Sequence, residues 1–427
     1  MPIRRPRGPK PELRHVAFLE SMTAAPEGST PHASARAAFL TLRLLDHWVA
    51  LGTDLSTDDS SAHRAAREAV DAIETDAEMR ASLGSIIDAI VALHEPDAQP
   101  LLPRVYAFGK LTEQRGQMSQ AADVYTTVAR YVDASVHLDL AYDAHMRRGF
   151  CLRLAGEFDW SEQAYATAGS LAARAKDRVR VLTSRVGQAK VDLARGNLPS
   201  ADEALAELAA EAAKLDASRL LANIMHDRSG VAHRRGDTQA AVRLAFESFQ
   251  RSTVDYDRER VLGDLAVFLM RLGALESAKD AFQLMELGTK SEQNRWVAQI
   301  GMMVLASQMR NEPLFESYRR RLSDAELPVT QRTSYLLDAG KGLTGFGHFK
   351  DAKRALSEAL GLAETSGQNQ RIFEVEEALT SLKVAVQNQE TEPARAAADK
   401  NRPETVAAPD DISAVLHELL AELAPIG

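Results

Sequence analysis

The chain has 427 residues, 26% of them charged, with a formal net charge of -9. That balance argues against a nucleic-acid partner held on a broad basic surface. No apolar run approaches the roughly 18 residues of a membrane-crossing helix. The single cysteine, Cys151, rules out an intrachain disulfide, fits a cytoplasmic, reducing setting and reads as a small core residue.

In chain order, residues 1–11 read as a basic, extended arm with Pro2, Pro6, Pro9 and Pro11. Arg4, Arg5, Arg7, Lys10 and Arg14 face only Glu12, so the acidity lies in the rest of the chain. Residues 12–22 predict a turn or two of helix, and 23–32 a loop containing Pro26, Gly28 and Pro31. Residues 1–32 are therefore taken as an arm with a short helix. The spacing of Phe39, Leu42, Leu45 and Val49 predicts a helix over 33–51, ended by Gly52. Asp58, Asp59, Ser60 and Ser61 offer caps for a helix over about 60–75. Leu83, Ile86, Ile87, Ile90 and Leu93 predict another over 77–94, before Pro96 and Pro100. Residues 33–97 carry no repeat register and read as a helical cap on the array that begins after them.

A periodic signal then begins. Gly116, Gly156, Gly196 and Gly236 are 40 residues apart, Gly273 follows at 37, and Gly347 two further steps of 37 on. Seven residues before each glycine is a small residue: Gly109, Gly149, Ala189, Ser229, Ala266 and Gly340. Five after each is another: Ala121, Ser161, Ala201, Ala241, Ala278 and Ala352. Nine after lie Tyr125, Tyr165, Leu205, Ala245, Phe282 and Leu356. A glycine that ends one helix, a second helix folding straight back, and small residues at the crossing predict a helical hairpin. One hairpin cannot bury its own apolar face, so hairpins must stack. One repeat, around Asn311, is degenerate, but Asn311 and Pro313 still read as a helix stop and restart.

This register resembles the tetratricopeptide repeat (TPR) family over about residues 98–387, most closely at Gly347-His-Phe-Lys-Asp-Ala352-Lys-Arg-Ala-Leu356-Ser-Glu-Ala359. The family's early tryptophan and helix-ending proline are missing, and the step of 40 is long for it. The resemblance implies an all-α, right-handed α-solenoid whose first helices line a concave groove that holds a segment of another protein. Carried onto this chain, the groove positions are Lys110, Arg147, Lys190, Asn223, Asp227, Arg234, Arg260, Asp264 and Lys341. The family's clamp for a terminal carboxylate needs lysine and asparagine four apart on a first helix. The matching pairs here, such as Tyr106/Lys110, Val186/Lys190 and Leu337/Lys341, lack it. Lys110, Arg147 and Lys190 make the first half basic and suited to an acidic or amphipathic segment.

Beyond a closing helix over 368–387, Pro393, Pro403 and Pro409 mark a flexible linker over 388–410. Asp410 and Asp411 then precede Ile412, Val415, Leu416, Leu419, Leu420 and Leu423, a sharp amphipathic stripe over 411–427. Alone, such a helix is marginal in water. It is expected to dock on its own repeats, to self-associate, or to dock on a partner.

No catalytic, cofactor or metal motif emerges. His226 and His233 lack the spacing of metal ligands, and the glycines of Gly340-Lys-Gly342-Leu-Thr-Gly345-Phe-Gly347 lack the ending and the strand of a phosphate loop. Gly342 and Gly345 suggest a bent or weak helix instead. The expected function is non-enzymatic: a protein-binding scaffold or adaptor. A peptide- or ligand-sensing regulator and a self-assembling structural subunit are the alternatives.

Overall fold

The computed structural model describes residues 13–51, 60–93, 97–366, 368–391 and 406–423. Among them are twenty α-helices and a 3-10 turn at Gln99–Leu101. The fold is all-α, a succession of TPR-like hairpins in which, within each of two compact units, most helices pack on the next. The chain divides into two compact units, Met1–Leu215 and Asp216–Gly427.

The first unit opens with α1 (Val16–Ala24), α2 (Thr30–Leu51), α3 (Ser60–Asp71) and α4 (Ala77–Ala92). Three hairpins follow: α5 (Leu102–Gln114) with α6 (Met118–Tyr131), α7 (Leu138–Leu154) with α8 (Phe158–Arg174), and α9 (Arg178–Arg195) with α10 (Leu198–Lys214). The second unit holds α11 (Ser218–Arg234) with α12 (Thr238–Arg251) and α13 (Asp255–Leu272) with α14 (Leu275–Gly288). It continues with α15 (Glu292–Gln308) and α16 (Glu312–Asp324), then α17 (Val329–Phe346) and α18 (Phe349–Thr365), and ends with α19 (Asn369–Thr391) and α20 (Asp410–Leu423).

Several boundaries differ from expectation. Helix α2 starts at Thr30, inside the expected loop, because Pro31 sits in its first turn, where a missing N–H costs nothing. Helix α3 stops at Asp71, because Asp76 is already the cap of α4 and accepts from the Met79 N–H at 3.0 Å. Helix α19 runs on to Thr391, shortening the expected linker, and the Val406–Pro409 end of that linker is described. The arm over 1–11, Gly52, Asp58, Asp59, Pro96, Pro393 and Pro403 lie outside the described residues.

The repeat glycines do what the register requires. All six have φ between 75° and 87°. Each is followed by a residue whose N–H reaches back to the helix, as in Gln117 to the Thr112 oxygen at 3.2 Å and His348 to that of Leu343 at 2.9 Å. In the degenerate repeat Arg310 takes the left-handed position at φ 55°, and the Asn311 side chain accepts from the Leu314 N–H.

The small position seven before the turn and the large one nine after it are partners. A Cβ added at Gly109 would lie 2.8 Å from the Tyr125 ring, and one at Gly149 2.9 Å from that of Tyr165. The same large residues also press on the next hairpin. A Cβ at Gly187 would lie 2.5 Å from Tyr165, and one at Gly301 would collide with Phe282. The Tyr165 ring is thus a wedge between α7 and α9, close-packed on both sides. The degenerate repeat exchanges volumes: Phe315 stands five after its turn, where all six other repeats carry a small residue, and Gly342 opens a hollow for its ring. Gly340 likewise faces Leu356. Helix α17 runs unbroken through these glycines, so they are packing positions on a helix and not a phosphate loop. Cys151 is fully buried, and burial raises its thiol to about 12, which keeps it unreactive at neutral pH.

Candidate functional site

Within each unit the first helices pack side by side: α5, α7 and α9 in one, α11, α13, α15 and α17 in the other. Because the turn glycines recur at steps of 40 or 37 residues, side chains about one step apart meet across the seam.

In the second unit this produces three rungs between α11 and α13. Arg219 donates through Nε to Asp257 at 2.9 Å, Arg260 donates to the Asn223 amide oxygen at 3.2 Å, and His226 Nε2 lies 2.7 Å from an Asp264 oxygen. On each helix the three residues fall three or four apart, so they share one stripe. The rungs do not seal themselves: the side chains of Arg219 and Asp264 remain 66% and 53% exposed. Asp227 and Arg234, on the same helix α11, are also engaged. At the far end Lys341 is exposed beside Asp338, whose carboxyl burial raises to about 6 despite the charges of Lys341 and Arg371.

In the first unit Arg147 donates to Glu113 at 2.9 Å, and the same carboxylate accepts from the Tyr125 hydroxyl at 2.9 Å. The Lys110 ammonium stands 5.4 Å from the Tyr106 ring centroid. Arg180 pairs with Asp139 and lies over the Tyr142 ring at 5.0 Å. Burial holds the Asp143 carboxyl above its ordinary range, although Arg180 and Arg147 oppose it. Lys190 is half-buried and engaged as well. The face read as basic is therefore mixed, because Glu113, Asp139 and Asp143 interleave with its cations.

Every residue expected at the groove thus lies on a first helix, spread over both units. Sequence reading missed the partners Glu113, Arg180, Arg219, His226 and Asp257. The available signal was complementary chemistry one repeat step apart, as in Arg219 with Asp257 and His226 with Asp264, both 38 residues apart.

The C-terminal helix takes the first of its expected places in this single chain. Helix α20 docks in cis on α14, a second helix, rather than on the first-helix face. Ile412 and Leu416 are buried, and Val415, Leu419 and Leu420 pack partly buried against the same core. The side chain of Leu423 lies outside the described residues. Ser277 donates to Ser413 at 3.2 Å, His417 lies 4.0 Å from Asp280, and the Val406 N–H binds the Gly273 oxygen at 3.0 Å. Partners rise together along both helices, so α20 runs parallel to α14.

Among the described residues no group of three or more His, Cys, Asp or Glu could hold a metal ion, and no helix is long and apolar enough to cross a membrane.

No family model and no curated protein matches the chain. Solved structures do. The apo form of RapI is 10% identical with a TM-score of 0.46, covering 86% of this chain and 98% of its own. The apo quorum sensor NprR from B. thuringiensis is 14% identical with a TM-score of 0.46, covering 74% and 97%. The Pseudomonas aeruginosa pilF structure is 15% identical with a TM-score of 0.37, covering 52% and 90%. These likenesses concern the helical-repeat fold and nothing finer.

Proposed function

We propose that the chain is a protein-interaction scaffold whose first-helix faces receive an acidic or amphipathic segment of a partner protein. The observation that carries this reading is the ladder between α11 and α13. Its side chains are held in place by cross-helix bonds, yet Arg219 and Asp264 keep donors and acceptors turned to solvent. Such pre-organised polar groups suit a polypeptide backbone, which needs both kinds of partner, and they lower the ordering cost of binding. In the first unit, Lys110 over Tyr106 offers a cation without a carboxylate ion pair among the described residues. Partner capture, not catalysis, is what these residues fit.

The test is site-specific photo-crosslinking in the native host. A photoreactive residue is placed at position 110, 190, 223, 260 or 341, with second-helix positions 163 and 207 as controls. The expected result is one partner crosslinked from first-helix positions and lost when Arg219→Glu is combined with Arg260→Glu, or Lys110→Glu with Lys190→Glu. Crosslinks confined to second helices would overturn the reading. A partner lost only when the chain is ended at residue 387 would move the function to the terminal helix.

A further inference from the structure

The second unit contains a cavity of about 320 Å³ between α12, α13, α14 and α20. Its floor is apolar, made by Phe249, Leu262, Leu284 and Met285, and Leu419 of α20 supplies one wall. Glu259 also reaches the lining, but its carboxylate already accepts from the Thr289 hydroxyl at 2.7 Å and from the Asn294 amide. The two remaining charged groups, Asp255 and Arg258, are different. They sit three residues apart on α13, so their side chains start from neighbouring points on one face. They form no ion pair with each other, and the side chain of neither hydrogen-bonds to any described residue. The Arg258 guanidinium carbon lies over the Phe249 ring, 4.6 Å from its centroid, at the edge of the apolar floor. The rungs to α11 use another stripe of α13, through Asp257, Arg260 and Asp264.

We propose that this cavity binds a small apolar zwitterion: a free amino acid with a bulky apolar side chain, of the leucine or phenylalanine kind. Its volume is at the low end for small-molecule sites, about ten water volumes, and so is sized for one such molecule. The apolar side chain would displace water from the floor. The carboxylate would take the paired N–H groups of Arg258, and the ammonium would take Asp255. One cation and one anion, both unpaired and side by side above an apolar hollow, match a molecule carrying the opposite pair on a single carbon. Because Leu419 belongs to the wall, the ligand binds the chain with α20 docked. By linkage it holds α20 down to the extent that docking favours its binding. The inference goes beyond the scaffold reading and uses a different face of α13, so each can fail without the other.

The experiment titrates the full-length protein with L-leucine and L-phenylalanine by calorimetry, and follows hydrogen exchange of the α20 amides. N-acetyl-phenylalanine, which lacks the ammonium, phenylalaninamide, which lacks the carboxylate, and L-lysine are the controls. At least one apolar amino acid is expected to bind at millimolar or lower concentration, with all controls weaker by about tenfold or more, and to slow exchange in α20. Arg258→Ala and Asp255→Asn, both at exposed positions that do not support the core, should each weaken binding about tenfold. Leu419→Ala should weaken it and remove the slowing. Absence of binding by both amino acids, equal binding of the N-acetyl or amide form, or binding unchanged in Arg258→Ala and Asp255→Asn would overturn the site. Binding with no effect on α20 exchange would overturn the linkage.

Discussion

In the first unit α1 is held by a charged clamp, and in the second α20 is held by an apolar face. In the clamp, His15 is 2% exposed, stands at φ 60°, and has a carboxylate at each ring nitrogen: Asp123 at 3.0 Å and Asp46 at 3.3 Å. Asp46 also accepts from the Tyr131 hydroxyl at 2.7 Å and from Arg14 at 3.0 Å. Two acceptors require both ring nitrogens to donate, so the clamp is built around an imidazolium. The C-terminal helix instead rests on Ala408, Ile412 and Leu416, with one hydroxyl pair and one distant ion pair at its flank. Buried charge is directional and costly to leave unpaired, whereas apolar burial is non-directional and roughly proportional to area. The clamp therefore fixes one geometry and responds to pH. The terminal helix is held mainly by hydrophobic contact, and its docking is open to competition or ligand linkage.

The contrast breaks most sharply at Leu416. It is fully buried, so Leu416→Asp places a carboxylate where no partner waits. The expected loss exceeds about 4 kcal/mol, more than a single short helix gains by docking. Amides of α20 should lose exchange protection, because the undocked helix is too short to persist alone. The hairpins α11 to α18 should keep theirs. Protection of α20 surviving in this variant would refute an apolar attachment.

Asp46→Asn is the matching change in the clamp. Asp46 is 4% exposed, and its loss would leave the His15 imidazolium and Arg14 short of a counter-charge, a cost of about 3 kcal/mol. Thermal unfolding should begin earlier, with α1 amides exchanging first. Next in size comes the pH response of the unaltered chain. Burial alone would lower the His15 pKa, but its bonds to Asp123 and Asp46 outweigh that and raise it above 6.5. The stability it contributes is complete below about 6.5 and is lost as pH climbs through the raised value. Asp46 is opposite: burial pushes its carboxyl up, but His15, Tyr131 and Arg14 hold it far below 3.8, so its contribution is lost only in acid. Protection of α1 should therefore fall as pH rises through that raised value, while that of α20 stays flat. His15→Gln should abolish this fall, and a fall that persists would place the titrating group elsewhere.

The hairpins were legible because their rules are local. A turn that needs φ > 0 selects glycine, and the pairing of Gly109 with Tyr125 or Gly149 with Tyr165 lies within one hairpin. Gly187, Gly301 and Gly342 were not legible in the same way. Each is small because a ring from the preceding hairpin presses on it, which a register aligned on turns does not reveal. The candidate face was half legible. Positions such as Arg147 and Asp264 follow from the register, but their hydrogen-bonding partners Glu113 and His226 are neighbours across a seam. For α20 the spacing showed an apolar stripe, and only packing could show that α14 covers it. The start of α2 was hidden because Pro31 reads as a loop residue until its place in a first turn is known.

The smallest expected effects sharpen the contrast from the side of the terminal helix. Ser277→Ala removes one partly buried hydroxyl bond of 3.2 Å to Ser413, which remains able to bond water, for a loss of about 0.5 kcal/mol. His417→Ala should do less still. Its ring is 80% exposed and 4.0 Å from Asp280, a separation at which surface pairs contribute about 0 to 0.5 kcal/mol. Burial raises the Asp280 carboxyl above its ordinary range, with His417 only partly opposing it, so the pair is a weak attraction against a desolvation cost. Exchange rates of α20 amides in His417→Ala should therefore match the parent within about twofold across neutral pH. A tenfold acceleration would mean that charge, not apolar contact, positions this helix, and that both ends of the molecule are pinned by the same physics.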